Sequence, residues 1–318
     1  MFTAKDKLRQ AIVVLPPAMA GRISDPNLRR WLSRGRLQEP RSASSLFHRV
    51  LSAAGIRPPE EGLAALRLWG QTGDRPNVWV AAADPVHLEP RLDHLRLHAL
   101  LGPQSPKADL RAIFDFLQTS LGQDSAFAFA RIGKYGYLRG DEAMSTAAIP
   151  AATIDGLEPD EYLPAGEAAA AYHKLTSELQ MALHEHEINL RREAEGFKPV
   201  NSIWLWGGGR APEKTVKVLP PFFGDDPLLQ GFWESCTGVV APWPGNFSEC
   251  AAFALKDLIV LTPESDEADV LCGHLEELRG LLKNRQLDCL VLLFRDGLTA
   301  RFGRFDAFRF WRRTSGLL

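Results

Sequence analysis

The chain has 318 residues, 45% of them hydrophobic, which is enough to bury a large core. Its formal net charge of -2 leaves no basic footprint, so neither nucleic acid nor an acidic membrane is expected as a partner. The first ten residues lack the apolar centre of a secretory signal and no apolar run approaches a membrane span, so the expectation is a soluble, cytoplasmic protein. Cys236, Cys250, Cys272 and Cys289 stand more than a dozen residues apart, without Cys-x-x-Cys spacing, and read as buried reduced thiols.

Residues 11–15 form a continuous apolar run stopped by Pro16 and Pro17, as expected of a strand buried on both faces of a parallel sheet. Residues 27–33 and 42–54 carry helical spacing, the second opened by Ser42, Ser44 or Ser45 as a cap and closed by Gly55. Residues 77–83 read as a second buried strand, ended by Asp84 and Pro85 because proline has no N–H with which to continue a ladder. From 107 to 121, Leu110, Ile113, Phe114, Phe116, Leu117 and Leu121 recur at helical spacing, with Gly122 as the stop. Residues 126–132 read as a strand and 133–137 as its turn. Residues 141–165, broken by Pro150, Gly156, Pro159 and Pro164, form an irregular connection.

A long amphipathic stretch runs from Ala165 to about Glu195, followed by a strand that enters Gly207, Gly208 and Gly209. Residues 215–219 alternate as an edge strand would. Residues 226–234 and 246–255 are helical candidates, and 258–261 is another buried strand. Over 267–286, Val270, Leu271, His274, Leu275, Leu278, Leu281 and Leu282 share one helical face. Asp296 and Gly297 between two apolar runs give a hairpin over 287–302. The whole predicts a single α/β domain over residues 1–318: a mainly parallel mixed sheet, helices on both faces and a C-terminal edge hairpin.

Candidate chemistry gathers where strands end, because open α/β sheets bind ligands at their carboxyl ends. Gly207, Gly208 and Gly209, followed by Arg210, fit either a backbone phosphate cradle or a turn required for tight packing. Asp84 and His87 fit either a ligand crevice or a capped turn in which the two side chains bond to each other. The reading adopted is that Asp84, His87 and the three glycines meet at the carboxyl ends of neighbouring strands. Arg192 and Arg210 then supply charge for a phosphate or carboxylate, and Asn189 and Asn201 fix the loop through backbone hydrogen bonds.

Other residues offer less. His94 and His98 would share one face of a helix and face one metal, with Asp93 or His87 near, or else lie on a polar surface turn; the turn is adopted. His184 and His186 suit a helix end, and Trp79, Trp204 and Trp206 suit the core. No Gly-x-Ser-x-Gly elbow, Walker loop or dinucleotide fingerprint is present, so neither a cofactor nor a metal site is expected.

His186, Asn189, Arg192, Gly196, Pro199, Asn201, Ile203, Leu205, Gly207 and Gly209 together resemble a motif region of cofactor-independent phosphoglycerate mutases, especially the archaeal type, in the alkaline phosphatase superfamily. A second resemblance, carried by residues 83–88 and 200–209 and running through most of the chain, is to bacterial RpfE-type regulatory proteins. The mutase resemblance implies an alkaline-phosphatase-like sheet and two divalent metals flanking a serine that carries the phosphoryl group.

Several residues that this resemblance implies are replaced. Pro16 and Pro17 stand where an Asp should follow the first strand, and Asp266 is followed four residues on by Val270 instead of His. The Asp93-His94 dipeptide lies in the first third of the chain instead of late, and Trp206 stands where an Arg should precede the glycines. The expected function is therefore a regulatory or ligand-binding protein whose partners are an anionic small molecule and an unidentified protein. The alternative is a metal-dependent phosphoryl-transfer enzyme, a phosphoglycerate mutase or phosphatase, with ligands of another pattern.

Overall fold

The structure, a computed structural model, describes residues 9–18, 21–39, 43–100, 102, 106–122, 126–184, 186–254, 256–303 and 306. The chain folds as two compact units: Met1–Pro58, Lys214–Asp226 and Trp233–Leu318 form the first, Pro59–Glu213 and Pro227–Phe232 the second. Each unit has a sheet of its own.

The first unit opens with β1 (Gln10–Leu15), α1 (Pro26–Arg34), β2 (Arg36–Gln38) and α2 (Leu46–Ala53). The second follows with α3 (Leu63–Thr72), β3 (Trp79–Pro90), β4 (Leu95–Ala99), α4 (Lys107–Leu117), β5 (Phe127–Ile132), β6 (Tyr135–Gly140), α5 (Ala170–Leu183), α6 (Glu187–Ala194) and β7 (Ser202–Gly209). Next come β8 (Phe222–Phe223) and α7 (Pro227–Glu234). The first unit is then completed by β9 (Val240–Ala241), α8 (Phe247–Phe253), β10 (Leu258–Leu261), α9 (Ala268–Lys283), β11 (Cys289–Phe294) and β12 (Thr299–Gly303).

The first unit holds the mainly parallel mixed sheet, in the order β2-β12-β11-β1-β10-β8-β9. β1 lies parallel to both β10 and β11, and its apolar run is buried from Ala11 to Leu15. Ala11, Val13 and Leu15 join a core with Leu28 and Leu32 of α1 and with Leu271, Leu275 and Leu278 of α9. α2 lies against β1 and β11. Local signals set the helix starts: Asp25 caps α1 just ahead of Pro26, and Ser45 is the serine that caps α2.

The hairpin of β11 and β12 forms as its Asp-Gly turn predicts, but it is not the edge, because β2 pairs antiparallel outside β12. Three residues, Arg-Leu-Gln, are too few to show a strand period, which is why β2 is invisible in the sequence. Residues 215–219 make no strand beyond a single bridge from Val218 to Thr237, and Val216 and Val218 are exposed. Their alternation lacks an extended partner ladder.

The second unit holds a sheet in the order β4-β3-β6-β5, with β7 also paired to β3, and every pairing is antiparallel. The buried runs of β3 and β7 therefore record burial on both faces and not strand direction. Ala81, Ala83, Ile203 and Leu205 pack with Tyr172, Leu175, Leu179 and Leu183 of α5 on one side, while α3 lies against β3 and β7. β3 also runs through Pro85, where the sequence predicts its end. Its partner β6 stops opposite Ala82 and β4 begins opposite Val86, so the missing N–H falls in a gap between ladders.

Two further corrections concern turns. The expected turn at 133–137 is confined to Gly133 and Lys134, because β6 already starts at Tyr135. The long stretch 165–195 is broken into α5 and α6 at His184 and His186, and the His186 ring caps α6 by accepting from the Ile188 N–H. The irregular connection at 141–165 contains single 3-10 turns at Ala151–Thr153 and Asp160–Tyr162, and a third, Glu167–Ala169, precedes α5.

Candidate functional site

The most concentrated polar group in the second unit centres on Arg67, the one charged residue in the apolar helix α3. Its side chain is 5% exposed and that of Asp84 1% exposed, so neither charge is solvated. Arg67 donates to Asp84 Oδ1 at 3.1 Å, to the Tyr137 hydroxyl at 3.2 Å and to the Gly136 carbonyl at 2.9 Å. Its guanidinium also lies 4.6, 4.8 and 5.1 Å from the ring centres of Tyr135, Tyr137 and Trp206.

The second oxygen of Asp84 accepts the Trp206 indole N–H at 2.6 Å, and Tyr137 donates onward to the Gln71 side-chain oxygen. Burial alone would lower the Arg67 pKa, but Asp84 and then Tyr137 hold it above its ordinary value; burial pushes the Tyr137 phenol up. Asp84 thus spends both oxygens inside the protein and presents none to a ligand. It holds α3, β3 and β7 together.

The three glycines serve the same packing. Gly207 N–H donates to the Ala147 carbonyl at 2.8 Å, Gly208 N–H to the Thr146 hydroxyl at 2.8 Å, and the Gly208 carbonyl accepts from Gly62 at 3.1 Å. Gly209, at φ +148°, lies so close to the backbone of Gly62 that a Cβ would collide with it. Of the two readings of this turn, close approach of the start of α3 is the one the geometry fits.

Arg192 is fully buried, paired with Asp109 at 2.9 Å and donating to the Lys198 carbonyl at 3.0 Å, so it too faces inward. Arg210 is exposed and donates to the Asn77 carbonyl at 2.7 Å. Asn189 bridges Leu183 and Val200, and Asn201 both accepts from and donates to the Leu88 backbone, as expected of loop-fixing side chains. Trp79, Trp204 and Trp206 are core.

Of the predicted ligand side chains, Arg210 is exposed and His87 is partly open. Its Nδ1 lies 3.0 Å from the Pro199 carbonyl, and burial lowers its pKa against the pull of that carbonyl. It does not meet the glycines. Val80 pairs with Gly209 and Val86 with Ser202, so antiparallel β3 and β7 put His87 and Gly209 at opposite ends of their ladder. Seven residues of strand separate Val80 from His87, roughly 23 Å. The proposed convergence assumed parallel neighbours, whose carboxyl ends lie on one side. His94 and His98 are likewise not on a helix: β4 is a strand, His94 contacts Asp93 and His98 contacts Glu89.

The parallel sheet of the first unit has the carboxyl-end geometry instead. Past β1 come Pro16 and Pro17; past β10, Thr262 donates its hydroxyl to the Val14 carbonyl at 2.9 Å. Past β11, Arg295 donates to the Thr262 carbonyl at 2.8 Å and pairs with Glu264 at 3.3 Å, while Asp296 accepts from the Ala18 N–H at 2.6 Å. Burial lowers the Arg295 pKa, offset by Glu264 and Asp226. Arg49 braces the hairpin by donating to the Phe294 and Leu298 carbonyls. Among the described residues no group of three or more His, Cys, Asp or Glu side chains is placed to hold a metal ion, and no helix is long and apolar enough to cross a membrane. The four cysteines form no disulfide, and Cys250 is the buried one.

The curated relatives of this chain are cofactor-independent phosphoglycerate mutases. The 2,3-bisphosphoglycerate-independent phosphoglycerate mutase of Methanosarcina barkeri is 30% identical over 127 residues, 39% of this chain and 32% of that protein. Its Methanosarcina acetivorans counterpart is 39% identical over 80 residues, 25% of this chain and 20% of that protein. The chain thus matches about a third or less of the length of these relatives. No family model matches it. A solved structure from Pyrococcus horikoshii aligns over 93% of this chain and 88% of that one, with a TM-score of 0.49 and 14% identity.

Sequence reasoning missed Arg67. The available signal was a single cation inside Leu-Ala-Ala-Leu-Arg-Leu-Trp, where an unpaired charge would be too costly to bury.

Proposed function

We propose that this chain is a cytoplasmic regulatory protein of the RpfE type, related to cofactor-independent phosphoglycerate mutases, that retains their scaffold without their two-metal chemistry. The observation that carries this reading is the set of side chains at the carboxyl ends of β1, β10 and β11. Two-metal phosphoryl transfer needs several oxygen or nitrogen ligands converging there, beside a nucleophile. Pro16 and Pro17 have no side-chain oxygen, the Thr262 hydroxyl is turned to a backbone carbonyl, and Asp296 is held by the Ala18 N–H. Arg295 adds a cation where a metal would need an anion.

The expected regulatory target is a protein. An anionic small molecule would have to use either His87 or, at the other end of the ladder, Arg210, because Asp84, Arg192 and the glycines have their polar groups bonded internally. The deciding measurement is interconversion of 2- and 3-phosphoglycerate by the purified protein with Mn2+. Turnover at background is expected, since loss of the clamp removes several kcal/mol and about 1.4 kcal/mol is tenfold in rate. Mn2+-stimulated turnover, lost on chelation and restored by metal, would instead establish the phosphoryl-transfer enzyme.

A further inference from the structure

We propose that His87 and His98 form a two-histidine chelate for a borderline transition-metal dication, Cu2+, Ni2+ or Zn2+, on the hairpin of β3 and β4. The two residues are directly opposed across the antiparallel ladder, and their ring centres are 6.2 Å apart with planes 32° from parallel. An ion ~2.0–2.1 Å from each coordinating nitrogen leaves two imidazole centres roughly 5–6 Å apart, close to the separation of these two rings.

Each ring also has its tautomer fixed. The Pro199 carbonyl can only accept, so His87 Nδ1 carries the proton and Nε2 the lone pair. The Glu89 carboxylate accepts from His98 Nε2 at 2.7 Å, which leaves the lone pair of His98 on Nδ1. One nitrogen held by a carbonyl or carboxylate and the other unprotonated is how metal-binding histidines are oriented and made more basic. Both rings are partly exposed, so water can complete the coordination.

The surroundings select the class of ion. Glu89 is shared among His98, Arg91 at 3.0 Å and Lys198 at 3.6 Å, so it orients a ligand and is not itself free to coordinate. With two imidazoles and no oxygen cluster, hard ions such as Mg2+ and Ca2+ have nothing to grip. Imidazole suits copper, nickel and zinc, and Cu2+ should bind most tightly of the three.

The test uses the full chain titrated with Cu2+ near neutral pH, followed by calorimetry and by electron paramagnetic resonance. One equivalent bound with a two-nitrogen signature is expected, and no heat with Mg2+. His98→Ala, which leaves the His87 to Pro199 contact in place, should weaken binding at least tenfold, as should His87→Ala. Glu89→Ala should weaken it about tenfold. His173→Ala, an exposed histidine on α5, should leave it unchanged. Zn2+ should raise the melting temperature of the parent chain and not of the doubly substituted one. Equal Cu2+ binding by the parent and the His87→Ala, His98→Ala double variant, whether strong or absent in both, would overturn the proposal.

Discussion

Arg67→Met is the sharpest test of how the second unit is held together. Methionine keeps an apolar stem of similar length and removes the guanidinium, leaving Asp84 Oδ1 and the Gly136 carbonyl without their donor. Asp84 would keep only the Trp206 indole, and an acidic side chain 1% exposed cannot recruit bulk water. Breaking a buried ion pair from one side costs about 3–5 kcal/mol, because the remaining charge is uncompensated. With a urea slope of about 2 kcal/mol per M, the midpoint should fall by about 1.5–2.5 M. Tryptophan fluorescence follows the second unit through Trp69, Trp79, Trp204 and Trp206, and hydrogen exchange of the β3 and β7 amides localises the loss. Adding Asp84→Asn to Arg67→Met removes the stranded charge, so the double variant should be less destabilised than the sum of the single ones by at least about 1 kcal/mol. A midpoint shift below about 0.5 M, or strict additivity, would refute the account.

Gly209→Ala should destabilise the second unit by about 1–3 kcal/mol in urea melts, because its Cβ meets the Gly62 backbone and its φ of +148° disfavours any side chain; a neutral effect would remove close packing as the reason for the glycine run. Asn201→Ala breaks both hydrogen bonds to Leu88 and should cost about 1–3 kcal/mol while leaving Cu2+ affinity within a factor of about three. His274 packs against Trp243 and Phe247, and burial lowers its pKa below the ordinary 6.5, with Glu277 opposing. A folded pKa below the unfolded one means that the unfolded state binds more protons, so this contribution is fully present above about pH 6.5 and is lost as pH falls through the folded value. His274→Gln should flatten that part of the stability profile in pH-dependent melts; an unchanged slope would show that the imidazole does not report it.

Much of the first unit is legible in the sequence because its strands are buried on both faces and its helices carry local caps. β1, β10 and β11 are continuous apolar runs, and Ser45 and the Asp-Gly turn act within a few residues. In the second unit α4 and β5 are legible in the same way, but β3 and β7 are legible only as burial. An antiparallel strand covered by helices on both faces has the same run of apolar residues as a parallel one, so β3 and β7 read alike in either direction. Strand direction depends on which ends meet, and no residue in the run records that. Pro85 likewise predicts a strand end at Asp84, whereas both Asp84 and His87 lie inside β3.

The same geometry gives the sequence likeness to the mutases a structural basis. The residues that carry the likeness are those that fasten β7 into its sheet: His186 caps α6, Asn189 bridges Leu183 to Val200, and Arg192 is sealed against Asp109. Asn201 closes on Leu88, and Gly209 admits the start of α3. None of these roles needs a metal or a substrate. Each leaves polar groups orphaned, or backbones colliding, if the residue changes, so packing is reason enough for these residues in this fold. The ends of β1, β10 and β11 are tied by side chains of their own: Thr262 donates to the Val14 carbonyl, Arg295 pairs with Glu264 and Asp296 accepts from the Ala18 N–H. They brace a parallel register that runs from Ala11 to Val14 against β10 and from Gln10 to Leu15 against β11.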